Sequence, residues 1–305
     1  MNNGKVSWSG NFPAVVSPFK ENGEIDEAKF IENIELLVSE GADGVVISGS
    51  NGESWALKPD EKLRLFRLAA ETAKGRFTVI GGTGSIITEE VAELTKAAKE
   101  TGIDGAMIMP PYYAGVGKRE TIAHYQMISD VAKLPILIYN SPKSTGINVV
   151  GDLVEALADI EWVCGIKQST LDYMEFSETV SLVGERLAVF TGHSSKRGLA
   201  AVVAGGVGFV SSLDPHVMGA EGISLFRLAR EGRIEEARRI QQRTLDMDRR
   251  LNGIVPGPAV MKAAMNLLGR PGGYTRRPNL PLTTEQTDRV AAVLSDLGLL
   301  ERRAA

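Results

Sequence analysis

Short apolar segments alternate with longer amphipathic segments along the first two thirds of the chain. The short segments lack the regular polar alternation of a half-exposed strand, which is typical of strands buried on both faces of a parallel sheet. This pattern predicts strands at residues 12–17, 44–48, 78–81, 105–109, 136–139, 163–168, 188–191 and 208–211.

The segments between these strands carry apolar residues at helical spacing. In residues 28–38, Phe30, Ile34 and Leu37 fall on one stripe of a helix. Capping residues and glycines at the expected ends support the helical interpretation. The same spacing predicts helices at residues 61–73, 89–99 and 122–132.

Strand and helix alternate eight times in about 210 residues, as in a closed (β/α)8 barrel of the α/β class. An open doubly wound sheet would contain fewer strands over this length. We predict that residues 1–218 form the barrel and that residues 219–305 form a C-terminal helical extension packed on it. Helices in the extension are expected at 225–229, 234–251, 258–268 and 284–297.

Composition narrows the class of protein. The 305 residues carry a formal charge of -4 without a basic face, which argues against nucleic-acid binding. Cys164 is the single cysteine, so an intrachain disulfide is excluded. The three histidines are scattered, so no metal site is predicted. No apolar run could span a bilayer and residues 1–10 lack a signal-peptide pattern, so we expect a cytoplasmic enzyme.

Lys167 is the first candidate for chemistry. It lies in the apolar sixth predicted strand, near the end at which a barrel of this kind places its active site. Burial lowers the pKa of a lysine and supplies the neutral amine that attacks a carbonyl. The alternative is a lysine whose ammonium reaches solvent from the strand end.

Tyr139 ends the neighbouring fifth strand, where its phenol could transfer protons, although an aromatic residue that only packs the barrel mouth fits equally well. After the second strand, Gly49–Glu53 has two glycines and two polar residues, Ser50 and Asn51. Such a loop suits a carboxylate or a phosphate. We also assign Gly52 of this loop to substrate binding.

Three further residues enter the predicted site with weaker support. Gly192 and His193 follow the seventh strand, and Val210 lies in the eighth. A lone histidine here could be an acid, a substrate donor or a surface residue.

Adjacent tyrosines at Tyr112 and Tyr113 could close a pocket or pack at a subunit contact.

Taken together, these motifs resemble the dihydrodipicolinate synthase and N-acetylneuraminate lyase family almost from end to end. The resemblance is carried by an ordered set of motifs, which is more specific than any single one. They are Pro13–Phe19, Gly49–Glu53, Pro110–Tyr113, Tyr139–Pro142 with Thr145–Gly146, and Gly165–Lys167.

The resemblance implies a role for each matching residue. Lys167 corresponds to the Schiff-base lysine and Tyr139 to the proton-relay tyrosine, while Ser50 and Asn51 correspond to the pair that binds the keto-acid carboxylate. Ser50 would also join the proton relay. Tyr113 corresponds to a catalytic tyrosine that reaches into the neighbouring subunit's site in a homotetramer built as a dimer of dimers. The resemblance implies no cofactor, because the protonated imine itself accepts the electrons.

The chain also departs from the family pattern. Ser144 stands where the synthase branch carries an arginine, and Asn51 stands where threonine is usual. A lysine such as Lys143 cannot replace the two-point grip of a guanidinium on a second carboxylate. We therefore expect a lyase, aldolase or dehydratase, for pyruvate, a 2-keto-3-deoxy sugar acid or a similar 2-keto acid.

Two alternatives remain. One is a 4-hydroxy-tetrahydrodipicolinate synthase that condenses pyruvate with aspartate semialdehyde, which Ser144 weighs against. The other is a non-catalytic barrel that binds metabolites, which would form no covalent imine. A Rossmann-type oxidoreductase is disfavoured because no glycine fingerprint follows an early strand.

Overall fold

Eight parallel strands form the centre of the structure, a computed structural model that describes residues 6–301. The outermost residues of the predicted domain limits, 1–5 and 302–305, lie outside the described residues. The strands are β1 (Gly10–Asn11), β2 (Gly44–Ile47), β3 (Thr78–Gly82), β4 (Gly105–Ile108), β5 (Ile136–Asn140), β6 (Val163–Gln168), β7 (Ala188–Thr191) and β8 (Gly208–Phe209).

The sheet closes on itself between its first two strands. Each strand from β2 to β7 pairs with the next in the chain, and β8 pairs with β1. Beyond β1, the amide of Val15 donates to Val46 O and the amide of Val46 donates to Pro13 O, both over 2.9 Å. The predicted (β/α)8 barrel is confirmed.

The predicted limits of the first strand are wrong. The ladder with β8 involves Gly10 and Asn11, and the chain beyond them meets β2 only through a bridge at Ala14. The amides of Phe12 and Ala14 still donate to Phe209 O and Ser211 O, but Pro13 has no N–H to donate and Pro18 follows shortly after, so the regular ladder is interrupted within residues 12–17.

Thirteen α-helices surround or extend the barrel in the described part of the chain. The predicted helices at 28–38, 61–73, 89–99 and 122–132 are confirmed within a few residues. The helices are α1 (Glu27–Ser39), α2 (Pro59–Ala73), α3 (Thr88–Lys99), α4 (Lys118–Ala132), α5 (Pro142–Thr145), α6 (Gly151–Ala158), α7 (Tyr173–Val183), α8 (Ser194–Val203), α9 (Leu213–Met218), α10 (Ala220–Arg230), α11 (Ile234–Asn252), α12 (Pro258–Leu267) and α13 (Thr284–Asp296).

Side chains on the two faces of the strands form separate apolar layers. On β5, Ile136 and Ile138 pack outward under the helices, whereas Leu137 and Tyr139 point into the barrel. This alternation follows from the two-residue period of a strand. The barrel interior is therefore a packed core, and its top layer includes Tyr139.

Strand β6 changes phase through a bulge beside its start. Ile136 pairs with Val163, but Leu137 pairs with Gly165, so Cys164 is one extra residue relative to β5. Val163 packs outward, and simple alternation from it would also turn Lys167 outward. The extra residue places Lys167 level with the inward-pointing Tyr139 instead.

Helices α11, α12 and α13 form a second apolar cluster with the short helix α9. Val16, from the segment beyond β1, belongs to this cluster and links it to the barrel. Helix α10 instead contacts the barrel floor, where Asn11 Nδ2 donates to Ile223 O over 3.2 Å. The domain limit at residue 218 stays a prediction. None of the helices within residues 6–301 combines the length and apolarity needed to cross a membrane.

Candidate active site

A cavity of about 650 Å³ opens at the carboxyl ends of the strands. Polar residues from five different strand-to-helix connections and from the end of α11 contribute to its wall. Seven of the nine predicted site residues line it, namely Lys167, Tyr139, Ser50, Asn51, Gly192, His193 and Val210.

Lys167 is the most unusual group in this wall. Its side chain is buried, with 7% of the residue exposed, and its Nζ lies 4.0 Å from the ring centroid of Tyr139. Removal from water lowers the pKa of Lys167, while interaction with the Tyr139 hydroxyl opposes that shift. None of the described acidic side chains pairs with this ammonium.

Tyr139 is held by a ring of hydroxyl groups. The nearby charge of Lys167 lowers the pKa of Tyr139 against the raising effect of burial, and hydrogen bonds with Ser50, Ser141 and Ser169 lower it further. A phenol in this position can exchange a proton with the amine or with a bound molecule.

The residues next to Lys167 and Tyr139 lock β5 and β6 together from the outer face. Asn140 Nδ2 donates to Gln168 Oε1 over 2.7 Å, and Gln168 Nε2 donates to Val149 O and to Thr179 Oγ1, each over 2.9 Å. Because these amides are buried and fully engaged, the two catalytic candidates have little freedom to move apart.

The loop Gly49–Glu53, called the anion loop below, enters the cavity beside Tyr139. The backbone N–H groups of Ser50 and Asn51 donate to no acceptor within residues 6–301. Asn51 Nδ2 is already engaged, donating to Ser212 Oγ over 2.9 Å. The loop therefore offers two free amides and the Ser50 hydroxyl to an anion.

The loop after β7 sets the space around Lys167. A Cβ added to Gly192 would lie 1.9 Å from Ser169 Oγ and 2.9 Å from Lys167 Cε, so this position has room only for glycine. His193 Nε2 lies 3.1 Å from Ser169 O, and burial lowers the pKa of His193 to about 4. The imidazole is thus neutral at pH 7, and Nε2 carries the proton because a carbonyl can only accept.

Two predicted site residues lie outside the cavity wall. Gly52, within the anion loop, packs against the segment beyond β1, where an added Cβ would lie 2.9 Å from Val15 O. Tyr113 is 93% exposed and has a positive φ of 72°, which a tyrosine seldom adopts. The family resemblance implies that Tyr113 reaches into a neighbouring subunit's site, and that role stays a prediction.

Sequence reasoning missed several polar residues of the site. Ser141 lies within the motif around Tyr139 and Ser169 lies two residues after Lys167, but nothing in their spacing marks them as hydroxyl partners of the tyrosine. Arg197 was also missed: its guanidinium donates to Gln168 O over 3.0 Å and to Thr191 Oγ1 over 3.0 Å. It therefore ties the ends of β6 and β7 together beside Lys167.

The far wall of the cavity is rich in hydroxyl and amide groups. Glu175 lies there with both oxygens occupied by Asn148 and Thr170, and Lys196 lies 3.7 Å from Asp248 of α11. No arginine lines the cavity in the described part of the chain. Its remaining polar lining includes Lys143, Ser144, Ser194, Ser195 and Asn252.

Comparison with known proteins assigns this arrangement to a family. The model described as the dihydrodipicolinate synthetase family matches residues 7–297. An uncharacterized DapA-like lyase from Rhizobium meliloti is 37% identical over 279 residues, covering 91% of this chain and 92% of the relative. A 4-hydroxy-tetrahydrodipicolinate synthase from Oceanobacillus iheyensis is 33% identical, covering 97% of this chain and 98% of the relative.

A solved structure with the same fold is YagE from E. coli K12, a prophage protein of the dihydrodipicolinic acid synthase family in complex with pyruvate. Its TM-score is 0.91 at 26% identity, with 96% of this chain and 100% of that chain covered.

The tight space at Gly192 gives a stability prediction. We expect Gly192→Ala to lower the free energy of unfolding by about 1–3 kcal/mol, because the new methyl group must displace Ser169 or Lys167. Urea unfolding followed by circular dichroism measures this change. Gly117→Ala is the control, since a Cβ there meets only the flexible end of Glu120 at 3.3 Å. Equal stability of the two variants would contradict the packing argument.

Proposed function

Because the chain belongs to the dihydrodipicolinate synthetase family, we propose that Lys167 forms a Schiff base with a 2-keto acid. The enzyme is a lyase of this family, and we assign it to aldol cleavage or dehydration of a 2-keto-3-deoxy sugar acid or a similar 2-keto acid. A cytoplasmic location stays a prediction from the sequence.

The observation that carries the proposal is the burial of Lys167 against Tyr139 without a paired carboxylate. A buried ammonium is costly unless it is paired, so burial lowers the pKa of Lys167 and increases the share of neutral amine. Neutral amine is the form that attacks a ketone.

The reaction follows from this amine. Lys167 Nζ attacks C2 of the keto acid, and the hydroxyl of the resulting carbinolamine leaves as water after Tyr139 supplies a proton. The product is a cationic imine. The Tyr139 phenolate then takes the proton of the C4 hydroxyl, and the C3–C4 bond breaks. Its electron pair forms the C2–C3 double bond of an enamine while the imine π pair moves onto nitrogen, and the distal fragment leaves as an aldehyde. Proton return to C3 and addition of water then release pyruvate and restore the amine.

The anion loop supports the choice of a keto acid over a simple ketone. Its two free amides and the Ser50 hydroxyl can hold the substrate carboxylate next to Lys167. Since Ser50 also bonds to Tyr139, the carboxylate and the proton-transfer group share one partner. His193, being neutral, is suited to a substrate hydroxyl rather than to a second carboxylate.

The far wall of the cavity indicates which kind of group the distal part of the substrate carries. Ser144 Oγ accepts a hydrogen bond from Ser141 Oγ over 3.0 Å, so this position offers a neutral group. Without an arginine in the described lining, the wall suits hydroxyls better than a second carboxylate. This argues against condensation of pyruvate with aspartate semialdehyde. The solved structure of YagE is a complex with pyruvate, which supports a pyruvate-derived imine here.

An assay panel tests the substrate class. We expect release of pyruvate, or of a dehydrated keto acid, from 2-keto-3-deoxy sugar acids at a higher kcat/KM than condensation of pyruvate with aspartate semialdehyde. The reverse ranking would refute the assignment.

Two exposed apolar surfaces support assembly into a homotetramer. One contains Trp55, Ile87 and Tyr113 on the side of the anion loop. The other contains Leu171, which is 74% exposed, with Tyr173 and Met174 at the start of α7. Exposed apolar patches of this kind commonly form subunit contacts. Two separate self-complementary surfaces on one chain would give a dimer of dimers.

Borohydride trapping tests the role of Lys167. We expect pyruvate and borohydride to add a stable adduct to the wild-type chain at Lys167, and none to Lys167→Ala. Because burial lowers the lysine pKa from 10.5, the trapping rate should rise with pH and level off below 10.5. Mass spectrometry locates the adduct. Labelling that persists in Lys167→Ala would exclude the proposed nucleophile.

Loss of the Tyr139 hydroxyl should slow the reaction. Tyr139→Phe is expected to reduce turnover by roughly 10²- to 10⁴-fold, as for a lost proton-transfer group. Steady-state kinetics measures the change. Tyr274→Phe, at a half-exposed tyrosine, should leave the rate unchanged. An unaltered rate in Tyr139→Phe would remove this residue from the mechanism.

Mixed oligomers test whether Tyr113 acts across a subunit contact. Tyr113→Phe and Lys167→Ala should each be poorly active alone. After the two are refolded together, roughly one quarter of the sites should combine an intact lysine with a neighbour's intact tyrosine. Recovery of activity is measured in the purified mixed oligomer. No recovery would place Tyr113 outside the neighbour's site.

A further inference from the structure

Glu53, the last residue of the anion loop, is bound to the C-terminal extension through a buried ion pair. Glu53 Oε1 accepts from Lys262 Nζ over 2.5 Å, and the two residues are 0% and 2% exposed. Lys262 lies on α12, 209 positions further along the chain. The pair therefore connects the loop after β2 with the extension.

Lys262 uses its three ammonium protons on three separate segments. Besides Glu53, it donates to Ser17 O and to Tyr274 O, each over 2.6 Å. The other oxygen of Glu53 accepts from the amide of Arg276 and from Asn279 Nδ2, each over 3.1 Å. Every polar atom of the Glu53–Lys262 side-chain pair thus has a hydrogen-bond partner, as a buried ion pair requires.

A second contact holds the loop from the same side. Ser17 Oγ donates to Gly52 O over 2.7 Å, and Ser17 O is itself an acceptor for Lys262. The absence of a Cβ at Gly52 lets the loop approach Val15 O and Ser48 closely. The anion loop is therefore held between the segment beyond β1 and the extension.

The backbone at Glu53 indicates why a carboxylate stands there. Glu53 has φ 52° and ψ 47°, the left-handed region in which glycine is less strained than any other residue. Apolar residues of similar size would also fill a buried site at no greater cost than an ion pair. Neither backbone preference nor packing therefore favours glutamate at this position. What its carboxylate adds is a set of hydrogen bonds with fixed directions to the extension.

We propose that Glu53 and Lys262 are positioning residues that hold the amides of Ser50 and Asn51 at the distance needed to bind the substrate carboxylate. The extension, which contributes Lys262, thereby sets the affinity of the site for keto acids. This inference rests on the proposed function, because it assigns the carboxylate to the anion loop.

The test compares Lys262→Met with Glu40→Gln. Glu40 forms a two-point ion pair with Arg270, which also links barrel and extension but lies away from the anion loop. In borohydride trapping, Lys262→Met should raise the half-saturating pyruvate concentration by about tenfold and leave the limiting rate within about threefold, as for lost ground-state binding. Glu40→Gln should change neither value.

Hydrogen–deuterium exchange supplies a readout that does not depend on pyruvate. Peptides spanning residues 49–53 should exchange faster in Lys262→Met than in wild type, and at the wild-type rate in Glu40→Gln. If Lys262→Met fails to fold, the neutral double variant Glu53→Gln with Lys262→Met replaces it, since removing both charges avoids a buried unpaired one.

Unchanged pyruvate saturation and unchanged exchange in the folded variant would overturn the proposal. An equal loss of pyruvate affinity in Glu40→Gln would also overturn it, because the effect would then be a general loosening of the extension. If wild type itself traps no pyruvate, the proposed function fails, and the exchange of residues 49–53 alone decides whether the ion pair positions the loop.

Discussion

Keeping one ammonium group out of water is the constraint on which the rest of the site depends. Lys167 lies in the barrel mouth with no carboxylate partner among the described residues, so its charged form is disfavoured. Interaction with the Tyr139 hydroxyl opposes the lowering of the lysine pKa, whereas two features maintain it: the bulge at Cys164 that turns the side chain inward and the missing side chain at Gly192. Each acts through geometry and neither adds a charge.

The same principle extends to the groups around the lysine. Tyr139 is surrounded by serines, and His193 is neutral, so the immediate surroundings of Lys167 are polar without being ionic. Ion pairs occur further out, as at Glu53 with Lys262 beneath the anion loop. Charged groups thus hold the framework, while neutral groups contact the reacting atoms.

Much of this architecture could be predicted from the sequence. Buried strands have a distinct composition, so the eight strands could be predicted from the sequence. Because the active site of such a barrel lies at the carboxyl ends of the strands, the polar residues at those ends, Lys167, Tyr139, Ser50 and Gly192, could be predicted with them. The limits of the first strand were missed because two prolines interrupt an otherwise apolar segment. The bulge could not be predicted, because residues 163–165 have the composition of an ordinary strand and the register depends on the partner strand β5. Contacts of Arg197 and Lys262 were missed because they join residues far apart in the chain.

The extra residue in β6 has a consequence for how such barrels diverge. Deletion of a single amino acid near Cys164 would remove the bulge but keep Lys167 paired with the inward-pointing Tyr139, because residues 165–167 already lie in register with residues 137–139. The anion loop, on β2, would keep its amides and could still hold a carboxylate. Strand β6 therefore carries one residue more than its pairing with β5 needs, so loss of a single codon there would leave the buried amine and most of the pocket in place.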